Sequence, residues 1–265
     1  MNRIDQKFKE LRAEKRKAFI VFITAGDPSL KATEELVLAF ENSGVDLIEI
    51  GVPFSDPLAD GPTIQASSQR SLKQGTTLDK VFTLVKKIRR KSSIPLALMM
   101  YYNPIFHYGE QKFINTSKAC GVDGVIVPDL PPEEAGILMK LAKAKDISTI
   151  LFLSPTTTKE RMKKIINASS GFIYYVSLTG VTGARQQIPA SFIRQVKEAK
   201  RLTKKPICVG FGISTPDQVK KISKVADGVI VGSAIVAQIF KNKGNTHLIK
   251  NVAQFVRGLC IKKRN

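Results

Sequence analysis

The stretch L-I-E-I-G-V-P-F-S-D-P-L-A-D-G, Leu47–Gly61, joins an apolar run to a polar loop. With Val45 before it, the first part reads as a short buried strand, Asp46–Gly51. One residue in that run is out of keeping, Glu49. An ionised carboxylate there must be paired or hydrogen-bonded, or its pKa must rise. Eleven residues later Asp60 sits in a segment rich in Pro and Gly, with Asp56 just before it. One acid in an apolar strand and another on the following loop are suited to proton transfer. A structural ion pair explains a buried glutamate equally well at this stage.

Seven more apolar runs of similar length flank this one: Ala18–Thr24, Leu96–Tyr102, Gly124–Val127, Thr149–Leu153, Phe172–Ser177, Pro206–Gly210 and Gly228–Val231. Continuous apolar runs fit strands covered on both faces of a parallel sheet. Stretches with helical spacing alternate with them, such as Val81, Leu84, Val85 and Ile88, or Val219, Ile222 and Val225. Ser29 caps a predicted helix Leu30–Ser43, and Thr215-Pro216 opens another over Pro216–Val225. Gly44 and Gly121 fall just past helix ends, where a left-handed residue is wanted. Eight β-then-α units in 265 residues, with no linker or low-complexity segment, predict a single (β/α)8 barrel spanning residues 1–265. A doubly wound open sheet has the same strand count and is the alternative. Before the first strand lies an extra N-terminal helix, predicted over Ile4–Arg16. Its Ile4, Phe8 and Leu11 form one stripe suited to covering the barrel bottom.

Composition narrows the function classes. No apolar run reaches membrane-spanning length, and the charged start M-N-R-I-D-Q-K-F-K-E-L-R has no apolar signal region. A cytoplasmic, non-membrane protein is expected. Three distant cysteines, Cys120, Cys208 and Cys260, make no disulfide or metal framework. Only His107 and His247 are available, so a histidine-based triad or zinc site is disfavoured. The formal charge of +20 raises nucleic acid as a partner. The basic residues are spread over many predicted outer helices and no RNA-stacking motif accompanies them, so no nucleic-acid partner is expected.

In such a barrel the chemistry sits where strands end and βα loops begin. Glu49, Asp56 and Asp60 collect after the second strand, and the long Pro53–Pro62 loop has the character of a lid. The seventh strand runs into G-F-G-I-S, Gly210–Ser214, and the eighth into V-G-S-A, Val231–Ala234. Glycines at these two ends let backbone N–H groups meet phosphate oxygens at a helix N-terminus. The sixth strand carries Tyr174, Tyr175 and Ser177, followed by Leu178–Pro189, whose Gly180, Thr182, Gly183 and Arg185 suit a second closing loop. No predicted strand holds a lysine for a Schiff base, and no local cluster of acids and histidine marks a metal site.

Leu47–Gly61 resembles, position for position, the signature of the tryptophan synthase alpha chain family. T-A-G-D-P at Thr24–Pro28, Y-N-P at Tyr102–Pro104, V-P-D-L-P-P-E-E at Val127–Glu134, G-V-T-G-A-R at Gly180–Arg185 and the two glycine blocks are similar in the same order. The resemblance implies retro-aldol cleavage of indole-3-glycerol phosphate to indole and glyceraldehyde 3-phosphate. It implies Glu49 as general acid/base and Asp60 as the acid that holds the indole N–H. Phe22, Tyr101, Asp129, Tyr174 and Thr182 match substrate-binding positions. Gly183, Gly212, Gly232 and Ser233 match the phosphate cradle. An α2β2 complex with a beta subunit is implied, with pyridoxal phosphate on that partner and no cofactor on this chain. Another phosphate-binding barrel, or a non-catalytic subunit that only activates its partner, are the rival readings. The whole Glu49…Asp60 block weighs against the first, and intact Glu49, Asp60, Tyr174 and Thr182 against the second.

Overall fold

Short strands rich in Val, Ile, Leu and Phe, with almost every residue buried, fit a parallel sheet covered on both faces. The computed structural model describes residues 2–176, 188–210 and 212–260. Its strands are β1 (Ala18–Thr24), β2 (Leu47–Gly51), β3 (Leu96–Met99), β4 (Gly124–Ile126), β5 (Ser148–Leu153), β6 (Ile173–Val176), β7 (Ile207–Gly210) and β8 (Gly228–Val231). They pair in parallel in chain order, and β8 pairs with β1 to close the barrel. The open-sheet alternative is therefore excluded. The predicted strands all form, two with their predicted ends and six shortened or shifted by a residue or more. The largest trim is in β3, where Met100–Tyr102 turns off the sheet into a helix.

The described helices are α1 (Arg3–Ala13), α2 (Leu30–Glu41), α3 (Pro62–Lys73), α4 (Leu78–Arg89), α5 (Tyr102–Tyr108), α6 (Glu110–Cys120), α7 (Gly136–Ala144), α8 (Lys159–Ala168), α9 (Ala190–Arg201), α10 (Pro216–Ser223), α11 (Ser233–Lys241) and α12 (Leu248–Leu259). Ser29, Thr77, Thr158 and Thr215 each accept a backbone N–H at a helix start. Gly44 and Gly121 take positive φ, as their positions after α2 and α6 require. Beyond one helix after each strand, the described residues hold α1 before β1 and a second helix after each of β2 (α3 with α4), β3 (α5 with α6) and β8 (α11 with α12). Helices α3, α5 and α11 start at the mouth of the barrel.

Alternation along each strand sends Ile20 and Phe22, Leu47 and Glu49, Ala97 and Met99, and Tyr174 toward the barrel axis. The α1 stripe of Ile4, Phe8 and Leu11 packs under the lower members of this set, with the Phe8 ring 5.8 Å from Phe172. Helix α1 ends at Ala13, three residues short of the predicted end, because Lys15 takes positive φ and turns Arg16 toward Asp46. Asn2 ties the helix start to the carbonyls of Asp123 and Asp146.

A repeated device closes the bottom rim. Asp46, just before β2, accepts the N–H of Phe19 in β1 and pairs with Arg16. Asp123, just before β4, accepts the N–H of Leu96 at the start of β3 and pairs with Arg89 and Arg3. Asp227, just before β8, accepts the N–H of Ile207 in β7 and pairs with Lys200. Ser170 does the same for Thr149 of β5. Each even strand thus brings a side chain that satisfies the first free donor of the odd strand before it.

Ile4 is fully buried beneath the axis. Ile4→Ala is expected to cost about 2–5 kcal/mol, since it removes apolar contact and leaves a cavity under the strands. Denaturant unfolding should read the loss as a lower midpoint with an unchanged slope.

Candidate active site

Glu49 lies on β2 in phase with Leu47 and Gly51, so its side chain enters the barrel rather than the helix layer. Phe22 of β1 and Ala97 of β3 flank it in register. It is fully buried, and neither carboxyl oxygen has a hydrogen-bond partner. The structural ion-pair reading is thereby excluded among the described residues. Burial alone pushes its carboxyl up to about 8. Glu49 is therefore mainly protonated at neutral pH.

Tyr174, two residues above Phe172, also faces the axis. Its ring lies 4.8 Å from that of Phe152, and burial, with the Glu49 charge next, holds its hydroxyl far above the usual tyrosine range. Tyr175 points the other way, edge-on to Phe192 in the helix layer. Glycines make room for the large inward rings. A Cβ on Gly51 would sit 2.5 Å from the Phe22 ring, and one on Gly210 would sit 2.8 Å from that of Tyr174.

The loop after β2 is built around Asp60. Its own peptide N–H donates to the Pro57 carbonyl, and the Gln65 side chain donates to the Asp60 carbonyl. The Ala59 N–H donates to the Tyr101 hydroxyl at 2.9 Å. Burial raises the Asp60 carboxyl to about 6, against the pull of a hydrogen bond from Tyr101. At neutral pH Asp60 is mainly ionised while Glu49 is mainly protonated, the separation that distinct acid and base roles need. Asp60 and Tyr101 share a hollow with Phe22, Ile64, Met99 and Pro128.

The remaining predicted positions divide. Asp129 is exposed and binds the free N–H of Tyr102 with both oxygens, at 2.9 and 3.1 Å, so it caps α5 and ties the ends of β3 and β4 together. Gly232 and Ser233 stand at the start of α11, which has no side-chain cap, and Gly232 lies against Phe22. Gly212 follows β7 with φ +60° and open space beside it. Thr182 and Gly183 lie outside the described residues. Asp56 is exposed on the loop tip beside Leu58, and His107 is exposed on α5. Among the described residues no group of His, Cys, Asp and Glu is arranged to hold a metal ion, and no described strand carries a lysine. No described helix is long and apolar enough to cross a membrane.

Some contributors were not foreseen. Gln65, Ile64 and Met99 shape the site without any chemical signature in the sequence.

The profile of the tryptophan synthase alpha chain family matches residues 8–262. The chain belongs to the tryptophan synthase alpha chain family. A tryptophan synthase alpha chain of Geotalea daltonii is 52% identical over 244 residues, which is 92% of each chain. The crystal structure of tryptophan synthase subunit alpha from Legionella pneumophila superposes with a TM-score of 0.91 at 36% identity, covering 98% of this chain and 97% of that one. A chain from the tryptophan synthase α2β2 complex of the hyperthermophile Pyrococcus furiosus superposes with a TM-score of 0.86 at 41% identity, covering 91% and 97%. The reaction of the family is cleavage of indole-3-glycerol phosphate, which makes this chain a lyase, and the family works in complex with a beta subunit that binds pyridoxal phosphate.

The burial of Glu49 has a price in stability with a definite sign. Its folded pKa of about 8 lies above the ordinary carboxyl value of 4.5, so the folded state holds a proton that the unfolded state releases between those limits. Stability is undiminished below about 4.5 and falls as pH rises toward 8. Glu49→Gln removes this penalty. Its melting temperature should equal that of the parent at pH 4 and exceed it at pH 8, with a gain of roughly 3 kcal/mol near neutral pH.

Proposed function

We propose that Glu49 and Asp60 divide the retro-aldol chemistry between them. Protonated Glu49 delivers a proton to the indole ring carbon that bears the side chain. The resulting carboxylate takes the proton from the neighbouring side-chain hydroxyl, and the carbon-carbon bond breaks to give indole and glyceraldehyde 3-phosphate. Ionised Asp60 accepts the indole N–H and stabilises the positive charge that grows on the ring during protonation. The observation that carries this reading is the fully buried, unpartnered carboxyl of Glu49 in the barrel mouth.

Phe22 and Tyr101 line the ring pocket, Tyr174 lies over Glu49, and Asp129 fixes the backbone beside Tyr101. The free N–H groups at the start of α11, with Gly232, Ser233 and Gly212, take the phosphate. The family resemblance assigns Thr182 to meet Asp60 and Gly183 to the same phosphate. No cofactor is assigned to this chain, and pyridoxal phosphate stays on the beta subunit. Indole passes directly to that partner. Leu58 at 94% exposure on the β2 loop and Phe106 at 69% on α5 stand at the mouth, an apolar surface consistent with docking there. The chain acts as one domain in the cytoplasm.

The test is the pH profile of indole release per kcat/KM, which reports free-enzyme groups. A bell with limbs near 6 and 8 is expected, from the carboxyls of Asp60 and Glu49. Glu49→Gln should lower turnover by roughly 10²-fold or more, the loss typical of a missing general acid/base. Asp60→Asn should remove the acid limb. Near-normal turnover in Glu49→Gln would refute the assignment.

Gly232→Asp places a negative side chain at the α11 N-terminus. A Cβ there meets Phe22 only at an ordinary 3.4 Å, so folding should survive. The Michaelis constant should rise steeply, and inhibition by glycerol phosphate should weaken in parallel. Unchanged inhibition would put the phosphate elsewhere.

A further inference from the structure

Arg70 on α3 makes contacts that neither its exposure nor its helix accounts for. Its guanidinium grips both oxygens of Asp27, at 2.9 and 2.6 Å, in the loop after β1. The opposite plane of interest is a ring: the guanidinium carbon stands 4.3 Å from the centroid of Phe240 on α11. Asp27 is only 3% exposed, so this pair is desolvated and geometrically fixed. One side chain therefore touches three elements at once. Helix α3 starts two residues after Asp60 and is bonded to its carbonyl through Gln65. Helix α11 starts at the proposed phosphate cradle. Between them, Ile64 and Val236 share a cluster with Phe22. A second seam holds α3 to the same loop: Thr24 with Ser67 at 2.6 Å, and Ser71 to the Ala25 carbonyl.

We propose that Arg70 is a positioning residue that sets the separation between Asp60 and the α11 N-terminus, so that one substrate reaches both. This rests on the roles proposed above for Asp60 and for the phosphate cradle. The substrate is rigid at the ring and charged at the phosphate, and its two recognition points lie on different elements, the loop that leads into α3 and the start of α11. Neither helix fixes the other through backbone bonding. A planar fork that is paired on its edges and stacked on its face holds a fixed angle, which a lysine in its place does not.

The experiment uses two ligands with the complex of this chain and a matched beta subunit. One is glycerol phosphate, which engages the cradle only. The other is an indolyl-alkyl phosphate without the reacting hydroxyls, which needs ring and phosphate sites together. Arg70→Lys and Phe240→Leu are the working variants. Phe240 is 55% exposed and its replacement leaves the Asp27 pair intact, so folding is preserved. Both variants should weaken the indolyl ligand by roughly 10-fold and leave glycerol phosphate within about twofold; kcat/KM should fall by up to roughly 10²-fold, as misplacement of about 1 Å produces. In an Asp60→Asn background the extra weakening of the indolyl ligand should vanish. Parallel weakening of both ligands, weakening that persists undiminished without Asp60, or a lower melting temperature with binding unchanged would each overturn the proposal. If Asp60→Asn alone leaves indolyl binding and turnover intact, the role of Asp60 fails instead, a result read from a separate variant.

Discussion

A carboxyl group without a partner at the centre of an apolar barrel is the constraint on which the rest turns. Leu47, Ile48 and Ile50 bury β2 on both faces, and Glu49 goes in with them. Among the described residues nothing pairs with it, and burial makes it keep its proton. The cost falls on folding. A residue chosen for stability at this position would be apolar. The site is thus a local breach of the rule that built the strand, as functional positions in consistent sequences usually are.

The second carboxylate sits on different ground. Asp60 stands on a loop that its own backbone, Tyr101 and Gln65 hold in place. Its partial exposure keeps it more acidic than Glu49. The two groups owe their different protonation to depth in the barrel and not to type. Around them, helix α3 buries Ser67, Ser68 and Ser71 beside Ile64. Hydroxyls on that face bond to β1 and its loop, so the helix adheres to the barrel through polar contacts where other helices use leucine and valine.

That chemistry explains what was legible in the sequence. Eight strands alternating with helices could be read because each strand is a short apolar run. Closure could not be read from the strand count, which an open sheet shares, and rested on the family resemblance that runs through the strands in order. Strand ends were blurred where apolar residues continue past the ladder, as Met100 and Tyr101 do after β3. Helix α3 left no apolar period because its buried face is serine. Tyr174 and Tyr175 are adjacent and chemically alike, and only alternation around the barrel axis sends one to Glu49 and the other to Phe192. The Asp27–Arg70 pair spans 43 residues, with nothing local to announce it. The phosphate role proposed for the glycines after β7 and β8 rests on their position in the barrel and on the family resemblance, because a short glycine pattern by itself also just makes a turn.

The acids along the bottom rim give the barrel two kinds of seam. Within the pairs β1–β2, β3–β4, β5–β6 and β7–β8, a side chain from the second strand seals the start of the first. Between the pairs the backbone ladder joins the strands, with long lysine side chains rather than a sealed strand donor at two of the seams: Lys17 to Asp227 and Lys205 to the Ser169 carbonyl. The eightfold ring is in this sense a fourfold assembly of hairpin-sized modules, each bringing its own seal. Such modularity separates inheritance of the floor from invention at the mouth. A module can be copied or exchanged with its lower bonds complete, while the strand ends and loops above it are free to acquire a glutamate, a cradle or a docking surface.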